Sequence, residues 1–599
     1  MRGFVIVCLL FLSMIVEAQQ NVQKKAFKKY EARIANSIQI PSIRGKEYTI
    51  RINSQVEFDD IAVKIRQAIQ RRQKNILVII SPGLYYYGEQ HLYLSGIHDP
   101  DLSIRVLGYG ARLIAKGKTY TRANNKFSGT INYGHCFLSE KLNYLDFNGS
   151  YDQLQSMVEI VNEKKKLCRI KTSLPNQDAS GASIQLNEWY MVKTYPITQI
   201  KNGYIYFTAT DLEYISGHNC YNVNYDYGIS KVMPRYLLKN LKSNSPFCIY
   251  KNRVVFPNGI NAVHECTSSL FLVLNKCKIN FFNIKGIEFI GNGNRDQLMH
   301  IREVKANSVL INNCTFRFLK NVVLRCAISD NVYFEDNVVE DCVGNNVWSD
   351  TNCKNTVIKN NIFRRSIHNI DRSSCVVCFS ESFNISSNLF KDFGGIAIWV
   401  GLKHTQQKTT PISGIIENNE ICYTTPFLSF MKQASLIDGG AIYLETYNDE
   451  TIVRYNYIHG YGGIDSRRSI YCDDGCSNAK IYGNIIIQPD QSNAVFGWYS
   501  TTAAQKISNS NSGIDFMYNV IWGKYKMEER PKSDCVHGKN VMIYTGERPQ
   551  NILKNFAAQE EDVYVHEPML KNSLKELSPE TMKAIRSLPT YEGMKKWFE

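Results

Sequence analysis

From residue 279 onward, apolar and polar positions return to one phrase: an apolar pair, a polar residue, an asparagine, then two more apolar residues. It reads Phe334-Glu-Asp-Asn337-Val-Val, Val357-Ile-Lys-Asn-Asn361-Ile-Phe and Asn384-Ile-Ser-Ser-Asn388-Leu-Phe. It continues around Asn419, Asn456, Asn484 and Asn519, with two earlier copies that carry Ile287 and Cys314 at the asparagine position. The spacing varies between 23 and 37 residues. A helical repeat keeps its length because its interfaces are helices of fixed size, whereas a β-solenoid coil tolerates insertions at the turns between strands. Each phrase is therefore read as a strand, a bend at Asn, and the start of another strand. Asn suits the bend because it tolerates left-handed backbone geometry and its amide can bond to the Asn one coil away. Ile362, after the bend, is read as an inward position.

The array has a recognisable start. Ser54-Gln-Val-Glu57 is a capping box, followed by Phe58, Ile61, Ala62, Ile65 and Ile69 at helical spacing, an amphipathic helix suited to covering an open solenoid end. Asn75 to Ile80 and Ile104 to Leu107 read as the first rungs. Between residues 119 and 255 the phrase disappears. Alternating segments such as Tyr204-Ile-Tyr-Phe207, with Lys201-Asn202-Gly203 as a turn, indicate an inserted antiparallel β domain. Ser578-Pro579-Glu580 opens an amphipathic run to Leu588 that would cap the far end or pack along the side. The organisation expected is a signal peptide at 1–18, cap and first coils at 19–118, the insert at 119–255, the main right-handed parallel β-helix at 256–525, and a C-terminal extension with a capping helix at 526–599.

Composition adds to this picture. Tyr (36) and Phe (28) are plentiful and Pro (16) is scarce, as many short strands require. Met1-Arg2-Gly3, the apolar run Phe4 to Val16 and the closing Val16-Glu17-Ala18 form a secretory signal cleaved near Ala18, which places the mature chain outside the cell or in the periplasm. The run is shorter than the roughly 20 residues that span a bilayer. The formal charge of +15 suits either solubility or an acidic partner such as a uronic-acid polysaccharide. Of the 17 cysteines, most sit in apolar strand contexts, and buried free thiols are expected; Cys375-Val-Val-Cys378 is read as core packing. No cluster shows metal-ligand spacing along the sequence, so neither a metal nor another cofactor is expected.

Aligning the strands after successive asparagines places Ile398-Trp399-Val400-Gly401, Ile442-Tyr443-Leu444-Glu445, Ile470-Tyr471-Cys472-Asp473 and Val495-Phe496-Gly497-Trp498 in register. If Ile442 and Leu444 point inward, alternation turns Tyr443, Glu445, Tyr471 and Asp473 to solvent. That outer face carries aromatic rings for sugar stacking beside carboxylates, with Trp399 and Trp498 as further platforms. Asp350, Asp371 and Arg372 belong to the same face on earlier coils.

Two segments sharpen the reading: Asp438-Gly439-Gly440-Ala441-Ile442-Tyr443 and Ile470-Tyr471-Cys472-Asp473-Asp474-Gly475, one coil apart. From about Ser54 to Lys524 the chain resembles the pectate-lyase-like β-helix superfamily, and these two segments resemble β-helix glycoside hydrolases related to family 141, which includes fucosidase and xylanase activities. The resemblance implies that Asp438 and Asp473 or Asp474 are the catalytic acid and base. Tyr443, Tyr471, Trp399, Trp498, Glu445, Asp371, Arg372 and His404 are then the expected substrate contacts. Cys472 and the helical C-terminus depart from the family pattern. A polysaccharide lyase on the same fold is the main rival, needing a base and a cation such as Arg372, Lys403 or His404; a non-catalytic binding or adhesin module is the third reading. The expected partner is a polysaccharide or oligosaccharide, with no nucleic acid, no membrane span and a monomeric chain.

Overall fold

The computed structural model describes residues 41, 43–121, 136–138, 159–171, 176, 183–188, 191–209, 233–237, 248–250, 253–255, 262–266, 269–291, 297–319, 322–342, 345–366, 374–401, 412–425, 428, 439–445, 448–462, 467–473, 476–488, 494–498, 513–522, 527–528, 535–548, 558–559, 561–569 and 574–599. The expected signal peptide lies outside them. No helix among the described residues is long and apolar enough to cross a membrane.

Short apolar strands stack in parallel into a right-handed β-helix with three columns. The first column holds the strands that lead into the asparagine bend, such as Asp330–Glu335, Lys354–Lys359 and Ser382–Ser386. The second holds those that leave it, such as Val338–Glu340, Ile362–Ser366 and Leu389–Phe393, in a 13-stranded sheet. The third contains Val347–Ser349, Ser374–Cys378, Ile396–Val400, Gly439–Glu445 and Arg467–Asp473. First and third columns share one hydrogen-bonded sheet because the long strands Leu272–Lys285 and Gln297–Asn312 run through both. The stack does not end near 525: Val536–Gly538, Val541–Tyr544 and Val563–His566 continue it in parallel register.

The expected asparagines form a continuous ladder. From Asn337 through Asn361, Asn388, Asn419, Asn456, Asn484 and Asn519 to Asn540, each side-chain amide donates to the Oδ1 of the next coil at 2.9–3.1 Å. The backbone N–H of each donates to that same oxygen, and Asp562 receives both bonds from Asn540. Sequence reading placed the left-handed residue at the ladder position itself. It lies one residue earlier, at Asp336, Asn360, Ser387, Asn418, Tyr455, Gly483, Tyr518 and Lys539. The ladder residue is thus selected for its amide, while its predecessor makes the turn. Inside the stack, Phe289 and Phe316 pack face to face at 5.3 Å, as do Phe363 and Phe390 at 5.0 Å. Phe363, not Ile362, is the inward position: Phe363 is fully buried and Ile362 only half-buried.

At the N-terminal end, Glu47–Ile52 pairs in parallel with Asn75–Ile80, and the connection between them is helical. Ser54 accepts the Glu57 N–H and Glu57 reaches back to the Asn53 N–H, completing the capping box shifted to include Asn53. Phe58, Ile61 and Ile65 join the central core. The segment 159–237 contains a six-stranded sheet with antiparallel pairings throughout, and Asn202 and Gly203 supply two consecutive positive φ angles at the Met191–Lys201/Tyr204–Thr208 hairpin.

The C-terminal segment lies along the side of the stack rather than over its end. The outer positions of the second column there are apolar, and Ile485, Val520, Trp522, Val541, Ile543 and Val565 pack against Leu574, Leu577, Ile585, Leu588, Met594 and Phe598. Its polar groups bond to the turn residues of three coils: Lys596 to the Asn418 carbonyl, Trp597 Nε1 to that of Tyr455, and Thr590 to that of Tyr518.

Candidate active site

The third column brings the expected rings and two carboxylates together. Register pairs Val377 with Trp399, Trp399 with Tyr443, and Tyr443 with Tyr471, a single row across consecutive coils. Their strand neighbours Val376, Ile398, Ile442 and Ile470 are all at 0% exposure in the core, so this row is the outer one. Glu445 and Asp473 occupy the next outer position and are themselves register partners.

The rings interlock edge to face. Phe379 meets Trp399 with centroids 5.5 Å apart, Trp399 meets Tyr443 at 6.0 Å, and Tyr443 meets Tyr471 at 5.0 Å. Sequence reading turned Tyr443, Tyr471, Glu445 and Asp473 to solvent, yet each is at most 3% exposed. They face away from the solenoid core but bury one another. The carboxylates have the partners such burial demands: Trp399 Nε1 donates to Glu445 Oε2 at 3.1 Å, and the Tyr443 hydroxyl donates to Asp473 Oδ2. The Arg468 guanidinium lies 4.0 Å over the Tyr471 ring. A Cβ at Gly497, the register partner of Tyr471, would come within 2.7 Å of the Arg468 Cδ and Nε, so that glycine leaves the arginine its place.

Arg468 and Gly497 were missed in the sequence. Neither carries a motif, and only coil register places them beside Tyr471. Trp498 differs from expectation in another way. The last aligned strand is displaced by one residue, so Tyr471 pairs with Gly497 and Cys472 with Trp498. Asp438, Asp474, Asp371, Arg372, Lys403 and His404 lie outside the described residues. Gly439, directly after Asp438, is six positions before Glu445 and pairs with Arg467. At about 3.3 Å per residue, that is roughly 20 Å from the Glu445–Asp473 position along an extended strand. The register brings Glu445 beside Asp473.

Two coils before Trp399 on the same face, Trp348 Nε1 donates to Asp350 at 2.6 Å, Arg325 sits 3.4 Å from the same carboxylate, and its guanidinium lies 5.8 Å from the Trp348 ring centre. These groups are partly exposed and extend the row of polar and aromatic side chains. Twelve of the cysteines among the described residues are buried. Cys375 and Cys378 belong to the core, and burial pushes the Cys375 thiol well above its ordinary range.

No protein-family model matches the sequence, and no curated protein does. Among solved structures the chain is similar to a glycoside hydrolase at 12% identity, over 90% of this chain and 98% of that one, with a TM-score of 0.39. It is similar to XylC in complex with xylose at 9% identity, over 87% and 86% of the two chains, with a TM-score of 0.40. The alginate lyase AlyGC of family PL6 aligns at 9% identity over 86% of this chain and 53% of its own, with a TM-score of 0.32.

Proposed function

We propose that this chain is a secreted or periplasmic glycoside hydrolase acting on a complex, acidic polysaccharide, with Glu445 and Asp473 as its catalytic carboxyl groups. The observation that carries the proposal is their register: two carboxylates on the outer face of adjacent coils, embedded among Trp399, Tyr443 and Tyr471. Glycosidic hydrolysis needs one carboxylic acid to protonate the leaving oxygen and one carboxylate to attack the sugar or activate water. Coils stack about 4.8 Å apart, close to the roughly 5 Å between carboxyl groups of retaining enzymes. In that geometry one carboxylate forms a bond to the anomeric carbon as the acid protonates the departing oxygen; water then displaces the enzyme and returns the proton. Asp474 beside Asp473, and Asp438 ahead of the strand, complete the carboxylates to be substituted.

Arg468 over Tyr471 favours a substrate carrying carboxylates and keeps a lyase in view as the second reading. A screen against uronic-acid and neutral plant and algal polysaccharides separates the two. New reducing ends without ultraviolet absorption are expected. An unsaturated, ultraviolet-absorbing product would transfer the site to the lyase, as would complete loss of activity on chelation with recovery on adding calcium. No cleavage of any substrate by the parent chain, together with retained polysaccharide binding, would make it a binding module.

A further inference from the structure

The second column carries a separate set of donors that no stretch of sequence reveals. Glu420 and Cys422 are two residues apart on the strand Glu420–Cys422, and His459 ends the strand Tyr457–His459 one coil on. Register pairs Glu420 with Tyr457 and Cys422 with His459. The intervening Ile421 and Ile458 are at 0% exposure in the core, so the flanking side chains emerge together on the outer side. His459 Nε2 lies 3.0 Å from Glu420 Oε1, and the thiol, imidazole and carboxylate donor atoms all fall within 4.8 Å of one another.

We infer that Glu420, Cys422 and His459 form a binding site for a borderline divalent cation of the zinc class, with a fourth position left to water. One sulfur, one nitrogen and one oxygen donor suit such an ion, whereas calcium and magnesium take oxygen ligands. Metal–donor bonds of about 2.0–2.3 Å require the donors to draw slightly closer, a side-chain adjustment on a rigid pair of strands. The site has an open side, because the Glu420 and His459 side chains are 37% and 30% exposed, while Cys422 forms its floor at 5%. The imidazole is also held: Tyr457 stacks on it at 4.2 Å, and Trp597 of the C-terminal segment packs against Tyr457 at 5.4 Å. Lys391 pairs with Cys422 on the other side, and Lys596 acts on Glu420. Their charges oppose a cation, but a thiolate and a carboxylate offset them. A nucleophilic Cys–His–Glu arrangement is the competing use of these residues. It requires a thiol open to a substrate, whereas Cys422 lies at the floor of the site at 5% exposure.

Cobalt titration of the full-length, reduced protein tests the assignment. One equivalent of cobalt(II) should produce a thiolate-to-cobalt charge-transfer band that zinc abolishes, and zinc should raise the thermal midpoint. Cys422→Ser should remove the band. His459→Gln, at a half-exposed position where the fold is not at stake, should weaken cobalt binding at least about 10-fold. Absence of the band at stoichiometric cobalt, its persistence in Cys422→Ser, or unchanged affinity in His459→Gln overturns the site. The readouts are independent of catalysis at Glu445 and Asp473, which lie in a different column.

Discussion

Tyr443 donates its hydroxyl hydrogen bond to Asp473 across one coil of the stack, in the same row where it meets the ring of Tyr471 edge to face. Trp399 serves Glu445 in the same way from the preceding coil. Each buried carboxylate thus takes a hydrogen bond from an aromatic residue, and the aromatic residues hold one another.

Replacing Glu445 by Gln and Asp473 by Asn, one at a time, preserves shape and removes proton chemistry. On a substrate the parent cleaves, each should cost about two or more orders of magnitude in turnover with the far-ultraviolet spectrum unchanged. The acid/base variant should keep more activity toward substrates with activated leaving groups than toward polysaccharide, and the nucleophile variant should lose both. Near-normal turnover in both variants would sink the pair and move the test to Asp438 and Asp474.

The ladder predicts a large effect from a small change. Asn419 is at 0% exposure, accepts from the N–H and amide of Asn388, and donates to the Ile385 carbonyl and to Asn456. Asn419→Ala strands donors and acceptors in the interior, at about 1–3 kcal/mol for each group left unsatisfied. Urea unfolding should show a loss of at least about 3 kcal/mol; a loss below about 1 kcal/mol would mean that water replaces the ladder.

Glu340 is 3% exposed and is held by Arg317, Arg364 and Arg365 at 2.5–2.8 Å. Burial raises its pKa, but the Arg364 hydrogen bond and the charges of all three arginines outweigh this and hold the carboxyl below its ordinary range. Its stabilising contribution is therefore present above the unfolded carboxyl pKa and is lost as pH falls through the lower folded value. Glu340→Gln should cost roughly 2 kcal/mol at neutral pH, a figure reduced because the arginines are partly solvated. The difference from the parent should shrink on acidification.

His91 adds an acid sensitivity of the same sign, but of different cause and at higher pH, at the first coils. Its Nε2 lies 3.0 Å from the Phe58 carbonyl and its ring stacks on Phe58 at 4.2 Å; burial lowers its pKa to about 4. The fold favours the neutral ring, so the contribution is complete above about pH 6.5 and is lost as pH falls from there toward 4. The gap corresponds to something on the order of 3 kcal/mol. Stability measured across that window should fall less steeply for His91→Gln than for the parent.

The solenoid was legible because Asn337 through Asn519 recur at one point in an otherwise elastic phrase. Asn540 and Asp562 escaped notice because their strands are short and lack the full apolar flanks, and with them went the last coils. Glu445 was legible as an outer residue, but that Asp473 is its partner across the coil emerges only from the register. The same limit hid Cys422 and His459, neighbours in space that are separated by a whole coil in sequence. At Phe496 the strand is too short for alternation alone to fix the register, which accounts for the one-residue displacement at Trp498.

Asp562 closes the asparagine ladder with a side chain that accepts two hydrogen bonds and, when ionised, has none to give. The ladder therefore has a direction, like a sentence with a full stop. A duplicated coil inserted anywhere before Asn540 can pass the amide onward, whereas one appended after Asp562 meets no side-chain donor. Growth of this protein is permitted from within and discouraged at its tip, and the same chemistry discourages two copies from joining end to end into a fibre.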